Sequence, residues 1–147
     1  MKVTICGSIA FYEDMLKIKK QLEHLGHDVD LPPIEVEDEN GNMIPVSEYY
    51  KLRKNSDETV AWVWERKKQA ILWHFKKIEW ADAVLILNYD KKGVENYIGG
   101  NTFLEIGLAF YLHKKIFLYN PIPEISYKEE LLGMDPVILN KDLTKIG

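Results

Sequence analysis

Glu105 closes the stretch Gly99-Gly100-Asn101-Thr102-Phe103-Leu104-Glu105, a spacing that brings a carboxylate about one turn into a loop-to-helix junction. Two glycines let the backbone turn tightly, and Asn101 or Thr102 can cap the helix that follows. Exposed amides at such a helix start favour an anion or a polar ligand oxygen. A carboxylate there lies near the mouth of the expected crevice, or it merely complements the helix dipole. His74 also has two readings. An imidazolium is a competent proton donor near neutrality, yet Trp73-His74-Phe75 also reads as an aromatic patch in which the ring packs and makes one hydrogen bond. Gly7-Ser8 offers amides and a hydroxyl, with Phe11 or Tyr12 beside it to lie against a planar ligand. Gly7-Ser8-Ile9-Ala10 lacks the second glycine of a dinucleotide fingerprint. Cys6 reads as a small strand residue without a histidine at nucleophile spacing. The acidic residues at 35–39 read as a solvated loop. Neither a metal nor a cofactor is expected.

The elements that position these groups follow from periodicity. Lys2–Cys6 is a β-branched run stopped by Gly7-Ser8, a first strand. Glu13–Leu25 carries apolar residues near helical spacing and ends at Gly26. His27–Leu31 is a second strand, and 34–56 is irregular, with a turn at Asn40-Gly41-Asn42 and a short helix from Ser47. Asp57–Trp80 holds neither Gly nor Pro, which predicts one helix of about 36 Å. Ala83–Asn88 reads as a central buried strand. A helix from Asn101 or Thr102 to His113, a strand at Lys115–Tyr119, a short helix near Tyr127–Leu132 and a strand around Pro136–Leu139 complete the chain. Strands alternating with helices predict a single α/β domain over 1–147, a flavodoxin-like three-layer sandwich. Its five parallel strands are expected in the order 2-1-3-4-5, with ligands beyond the carboxyl ends of strands one and three. Asp82 opens the third strand, to hold loop amides or touch a ligand. Asn88 closes that strand at its ligand-facing end.

Composition narrows the partners. The 147 residues are 46% hydrophobic, enough for a core, with 19 basic against 23 acidic side chains. Only Arg53 and Arg66 are arginine and the lysines are scattered, so no nucleic-acid partner is expected. One cysteine points to a reducing cytoplasm. The amino terminus runs straight into a strand, so no signal peptide is expected, and no apolar window is long enough for a membrane span. Trp62, Trp73 and Trp80 share one stripe of the long helix, which faces the core or a partner copy.

Several motifs together resemble the nucleoside 2-deoxyribosyltransferase superfamily, including its 2'-deoxynucleoside 5'-monophosphate N-glycosidases. They are Cys6-Gly7-Ser8-Ile9 after strand one, Ala81-Asp82-Ala83-Val84 opening a central strand, and Thr102-Phe103-Leu104-Glu105-Ile106-Gly107 followed by Lys114-Lys115-Ile116. The match covers residues 1–31 and about 70–126. The resemblance implies a homodimer or larger oligomer. Its enzymes cleave or transfer the N-glycosidic bond of a 2'-deoxynucleoside or its 5'-monophosphate, with Glu105 as nucleophile. The family's proton-donating aspartate falls on His74, eight residues before Asp82. Family arginines fall on Ala10 and Glu13, and a neighbouring subunit's loop falls near Ser126. Gly7, Ser8, Phe11, Asp82, Asn88, Asn101, Thr102 and Ser126 are the expected substrate contacts. Two other readings stand beside the enzyme: a catalytically silent nucleotide-binding sensor on the same fold, and an oligomeric interaction protein.

Overall fold

Val3, Thr4 and Ile5 favour an extended chain, and Lys2–Gly7 forms β1 in the computed structural model, which describes residues 1–147. Along the chain follow α1 (Tyr12–His24), β2 (Asp28–Asp30), β3 (Glu35–Glu37), β4 (Met43–Pro45), α2 (Val46–Lys54) and α3 (Ala61–Trp80). Then come β5 (Ala83–Leu87), α4 (Gly100–Tyr111), β6 (Lys115–Leu118), α5 (Lys128–Gly133) and β7 (Val137–Ile138). Contacts divide the chain into two compact units, Met1–Leu31 with Lys77–Gly147, and Pro32–Lys76. No helix is long and apolar enough to cross a membrane.

The first unit holds a five-stranded, wholly parallel sheet in the order β2-β1-β5-β6-β7. The expected order 2-1-3-4-5 is corrected, because two strands that sequence periodicity missed, β3 and β4, intervene in the chain. Each is only three residues long, and together they make a separate antiparallel pair. Strand alternation sorts the side chains of the sheet. Val3, Ile5, Leu85 and Leu87 join Met15, Ile18 and Leu22 of α1 in one core. Thr4, Cys6, Val84 and Ile86 point the other way, toward the side where α4 packs on β1, β5 and β6. On that side Thr4 Oγ1 donates to the Lys77 carbonyl at 2.8 Å, fixing the last turn of α3. Helices on both faces of a parallel sheet are the flavodoxin-like arrangement. Gly7 is needed for close packing: a Cβ there would lie 3.1 Å from both the Leu87 carbonyl oxygen and Met15 Cε.

The second unit is built on Tyr49, only 2% exposed, which packs with Val36 and Val63 and donates its hydroxyl to the Val63 carbonyl at 2.6 Å. The β3–β4 turn is held by Asp38 Oδ1, which accepts from the amides of Asn40 at 2.8 Å and Asn42 at 2.9 Å. Arg66 donates from Nε to the Glu37 carbonyl at 3.1 Å. The long helix begins at Ala61 rather than Asp57, because Asp57 turns back onto the Thr59 amide and hydroxyl. Trp62 and Trp64 pack against the Tyr49 cluster, whereas Trp73 and Trp80 are exposed.

Asp82 lies at the amino end of β5. Its carboxylate accepts from the Lys2 amide at 2.8 Å, while its own amide donates to the Lys2 carbonyl. Of its two expected roles the structure therefore carries the amide-holding one; a ligand at the opposite edge is about 16 Å away along a five-residue strand. The Lys2 amide holds the Asp82 carboxyl below its ordinary value of 3.8. A depressed folded-state pKa gives stability that is complete above the ordinary value and lost as pH falls below it. Between about pH 5 and pH 2, the Tm of wild type should therefore fall more steeply than that of Asp82→Asn. Identical slopes in thermal unfolding would refute the assignment.

Candidate functional site

The carboxyl ends of β1 and β5 open between Gly7-Ser8 and the loop running from Asn88 to Gly99. α4 starts at Gly100, with Gly99 as the cap and the Phe103 amide donating to the Gly99 carbonyl at 2.9 Å. Asn101 and Thr102 therefore lie inside the helix, and neither caps it. The backbone glycine pair sets the start, and Tyr97 fills the space where a Gly99 Cβ would stand, its hydroxyl 3.1 Å away. Asn101 is exposed, and Thr102 is buried.

Thr102, Glu105, Ile106 and Ala109 form the buried stripe of α4, at the spacing of a helix face turned to a sheet. Glu105 is 8% exposed, the one carboxylate in that row. The first turn of α4 contains no acid, so the dipole-complement reading of Glu105 loses its premise. Its neighbour on the sheet is Cys6, fully buried, whose thiol donates to the Glu105 carboxylate. Burial, and then the Glu105 charge, push the Cys6 thiol well above its usual range, so it stays protonated. His74 lies on α3 and is buried; helix geometry places it on the same face as Ile78, one turn on.

Ser8 caps the short 3-10 turn Ile9–Phe11, accepting from the Ala10 amide at 3.3 Å. A lysine that sequence reasoning passed over reaches the same hydroxyl: Lys91 Nζ donates to Ser8 Oγ at 2.6 Å and lies 5.6 Å from the centre of the Tyr97 ring. The clue was Lys91-Lys92-Gly93 in the loop after the central strand. That loop folds back tightly, with Lys92 and Gly93 both at positive φ and Lys91 and Val94 bonded to each other through their backbones.

Other expected contacts are engaged elsewhere. Phe11 belongs to the α1-side core, edge-on to Tyr89 at 5.1 Å, and Tyr89 meets Tyr119 at 5.5 Å. Asn88 is fully buried and uses its whole amide: Nδ2 donates to the carbonyls of Asn120 at 2.9 Å and Pro121 at 3.0 Å, and Oδ1 accepts from the Asn120 amide at 2.8 Å. It clamps the loop after β6. Ser126 is exposed in that loop, while Tyr127 stacks on Phe103 at 4.4 Å and donates its hydroxyl to the Ile98 carbonyl. A cleft of about 570 Å³ lies beyond the ends of β5 to β7, lined by Tyr89, Asp90, Glu95, Tyr119 and Lys141. Neither Glu105 nor Ser8 lines it.

No protein-family model and no curated relative matches the sequence. Among solved structures, a 2-deoxyribosyltransferase from Bacillus psychrosaccharolyticus aligns with 85% of this chain and 76% of its own, at 20% identity and a TM-score of 0.52. The fold is shared with a 2-deoxyribosyltransferase. At that identity the likeness is one of fold, and it is consistent with the superfamily that the Cys6–Ile9 and Thr102–Gly107 motifs resemble. The CMP N-glycosidase BcmB from Clostridium botulinum aligns with 94% of this chain and 85% of its own, at 18% identity and a TM-score of 0.46. In this fold the end of β1 and the start of α4 carry the candidate site, and the Asn88 clamp shapes the loop beside it.

Asn88→Asp replaces the Nδ2 donor with a carboxylate oxygen, an acceptor turned toward two carbonyls, and buries a charge. It should lower Tm by roughly 10 °C, whereas exposed Asn101→Asp should leave Tm nearly unchanged. Equal Tm values for the two variants in calorimetry would refute the clamp.

Proposed function

We propose that this chain, acting over 1–147 as one deoxyribosyltransferase-like domain, cleaves or transfers the N-glycosidic bond of a 2'-deoxynucleoside or its 5'-monophosphate. The observation that carries this reading is the buried Glu105 carboxylate on the sheet-facing stripe of α4, beside the end of β1. Breaking the C1'–N bond leaves oxocarbenium character at C1', which an adjacent carboxylate stabilises. Glu105 attacks C1' as the C1'–N electron pair leaves with the base, giving a glycosyl-enzyme ester. Water, or a ring nitrogen of a second base, then displaces Glu105 with overall retention. His74 is the proposed acid that protonates the departing base, and Gly7, Ser8 and Thr102 are the proposed contacts around the sugar and its 5' substituent. The assembly is proposed to be a homodimer or larger, with exposed Trp73 and Trp80 at its interface and Ser126 offered to the neighbouring site.

The silent-sensor reading is favoured by sequence departures, His74 for the family aspartate and Ala10 and Glu13 for its arginines. Chemistry separates the two readings: both imply thermal stabilisation by nucleotides, but only the enzyme releases free base. Chromatography after incubation with a panel of deoxynucleosides and their monophosphates should detect that base. Glu105→Gln should lose roughly three or more orders of magnitude in rate while still binding substrate. His74→Asn should cost about 10²–10⁴-fold with adenine as leaving group. Its effect should be small with a nitrophenyl deoxyriboside, whose leaving group needs no proton. A nearly fully active Glu105→Gln protein would end the nucleophile reading, and equal losses on both substrates would end the acid role of His74.

A further inference from the structure

Cys6 is the chain's only cysteine, and the mechanism above gives it no task. Its position is not arbitrary. Alternation along β1 sends Val3 and Ile5 into the α1-side core and turns Cys6 toward α4, at the carboxyl end of the strand where Gly7 follows. Cys6 pairs with Ile86 in the centre of the sheet and is fully buried. Its sulfur and a Glu105 carboxylate oxygen lie within 4.8 Å, and the two side chains are hydrogen-bonded.

We propose that Cys6 is a positioning residue for Glu105, its S–H bond fixing the carboxylate so that one oxygen faces the anomeric carbon. The inference rests on the nucleophile reading of Glu105 and deepens it. A glutamate side chain has three rotatable bonds, and attack needs one lone pair held on the line to C1'. A strong O–H or N–H donor would hold it but would also stabilise its charge and blunt its attack. A thiol is a weak donor, so it orients the carboxylate at small cost to nucleophilicity. The raised thiol pKa agrees with this division of labour: Cys6 keeps its proton, and Glu105 supplies the electron pair.

With one cysteine in the chain, infrared spectroscopy sees a single S–H stretch. That band should lie at lower frequency in wild type than in Glu105→Gln, where the acceptor has lost its charge. An unmoved band would overturn the proposal whether or not the protein is active. In kinetics, Cys6→Ala should lower kcat about tenfold to a hundredfold with KM changed less than about twofold. Cys6→Ser, whose hydroxyl orients the carboxylate but donates more strongly, should recover part of the loss and stay below wild type. A folded Cys6→Ala protein with full kcat, alongside an inactive Glu105→Gln protein, would refute the positioning role alone. A wild type that releases no base from any deoxynucleoside or monophosphate would refute the nucleophile reading and the positioning role with it.

Discussion

A carboxylate on the inner face of a helix costs free energy that the same residue on the surface would not, unless neighbouring groups are arranged to receive it. α4 spends its sheet-facing stripe on Thr102, Ile106 and Ala109, the residues of an ordinary helix–sheet contact, and yet places Glu105 among them. The thiol of Cys6 is one partner of that carboxylate, supplied by β1, the neighbour of the central strand β5. Much of the surrounding geometry serves to hold this pair: β1 and β5 run in register, Gly7 lets their ends approach, and Gly99 starts α4 where Tyr97 leaves no room for a side chain.

The carboxyl edge of the sheet is stiffened by contacts that do no chemistry themselves. Asn88 ties β5 to the loop after β6 through buried hydrogen bonds, and the Phe11–Tyr89–Tyr119 aromatic row closes the other face. The edge is thus fixed from both sides of the sheet, while Gly7-Ser8 and the Lys91 ammonium stand at its rim. A rigid scaffold with polar groups at one edge suits a site that must align a sugar against a carboxylate.

Long, periodic features were legible in the sequence. The five sheet strands, α1 and α4 follow from β-branched runs and helical spacing, and the Gly-Gly junction led to Glu105. The β3–β4 pair was not legible, because three-residue strands carry too little alternation to separate them from a turn. Residues at strand ends were harder still. Asn88 and Phe11 read as ligand contacts, and Asp82 as a ligand contact or a holder of loop amides, because their types and positions suit those roles. Whether a polar group faces a ligand or a backbone amide depends on long-range partners, Asn120 for Asn88 and Lys2 for Asp82. Lys91 escaped notice for the same reason, since Ser8 lies 83 positions away in the chain.

The central claim is that the Glu105 carboxylate forms a bond to C1'. A 2'-deoxy-2'-fluoro-arabinonucleoside tests it directly, because the fluorine slows breakdown of a glycosyl-enzyme more than it prevents its formation. After incubation, intact-mass spectrometry should show one added fluoropentosyl group, and peptide mapping should place it on Glu105. Release of base with the adduct on another residue, or with no adduct under conditions that slow turnover, would contradict the account.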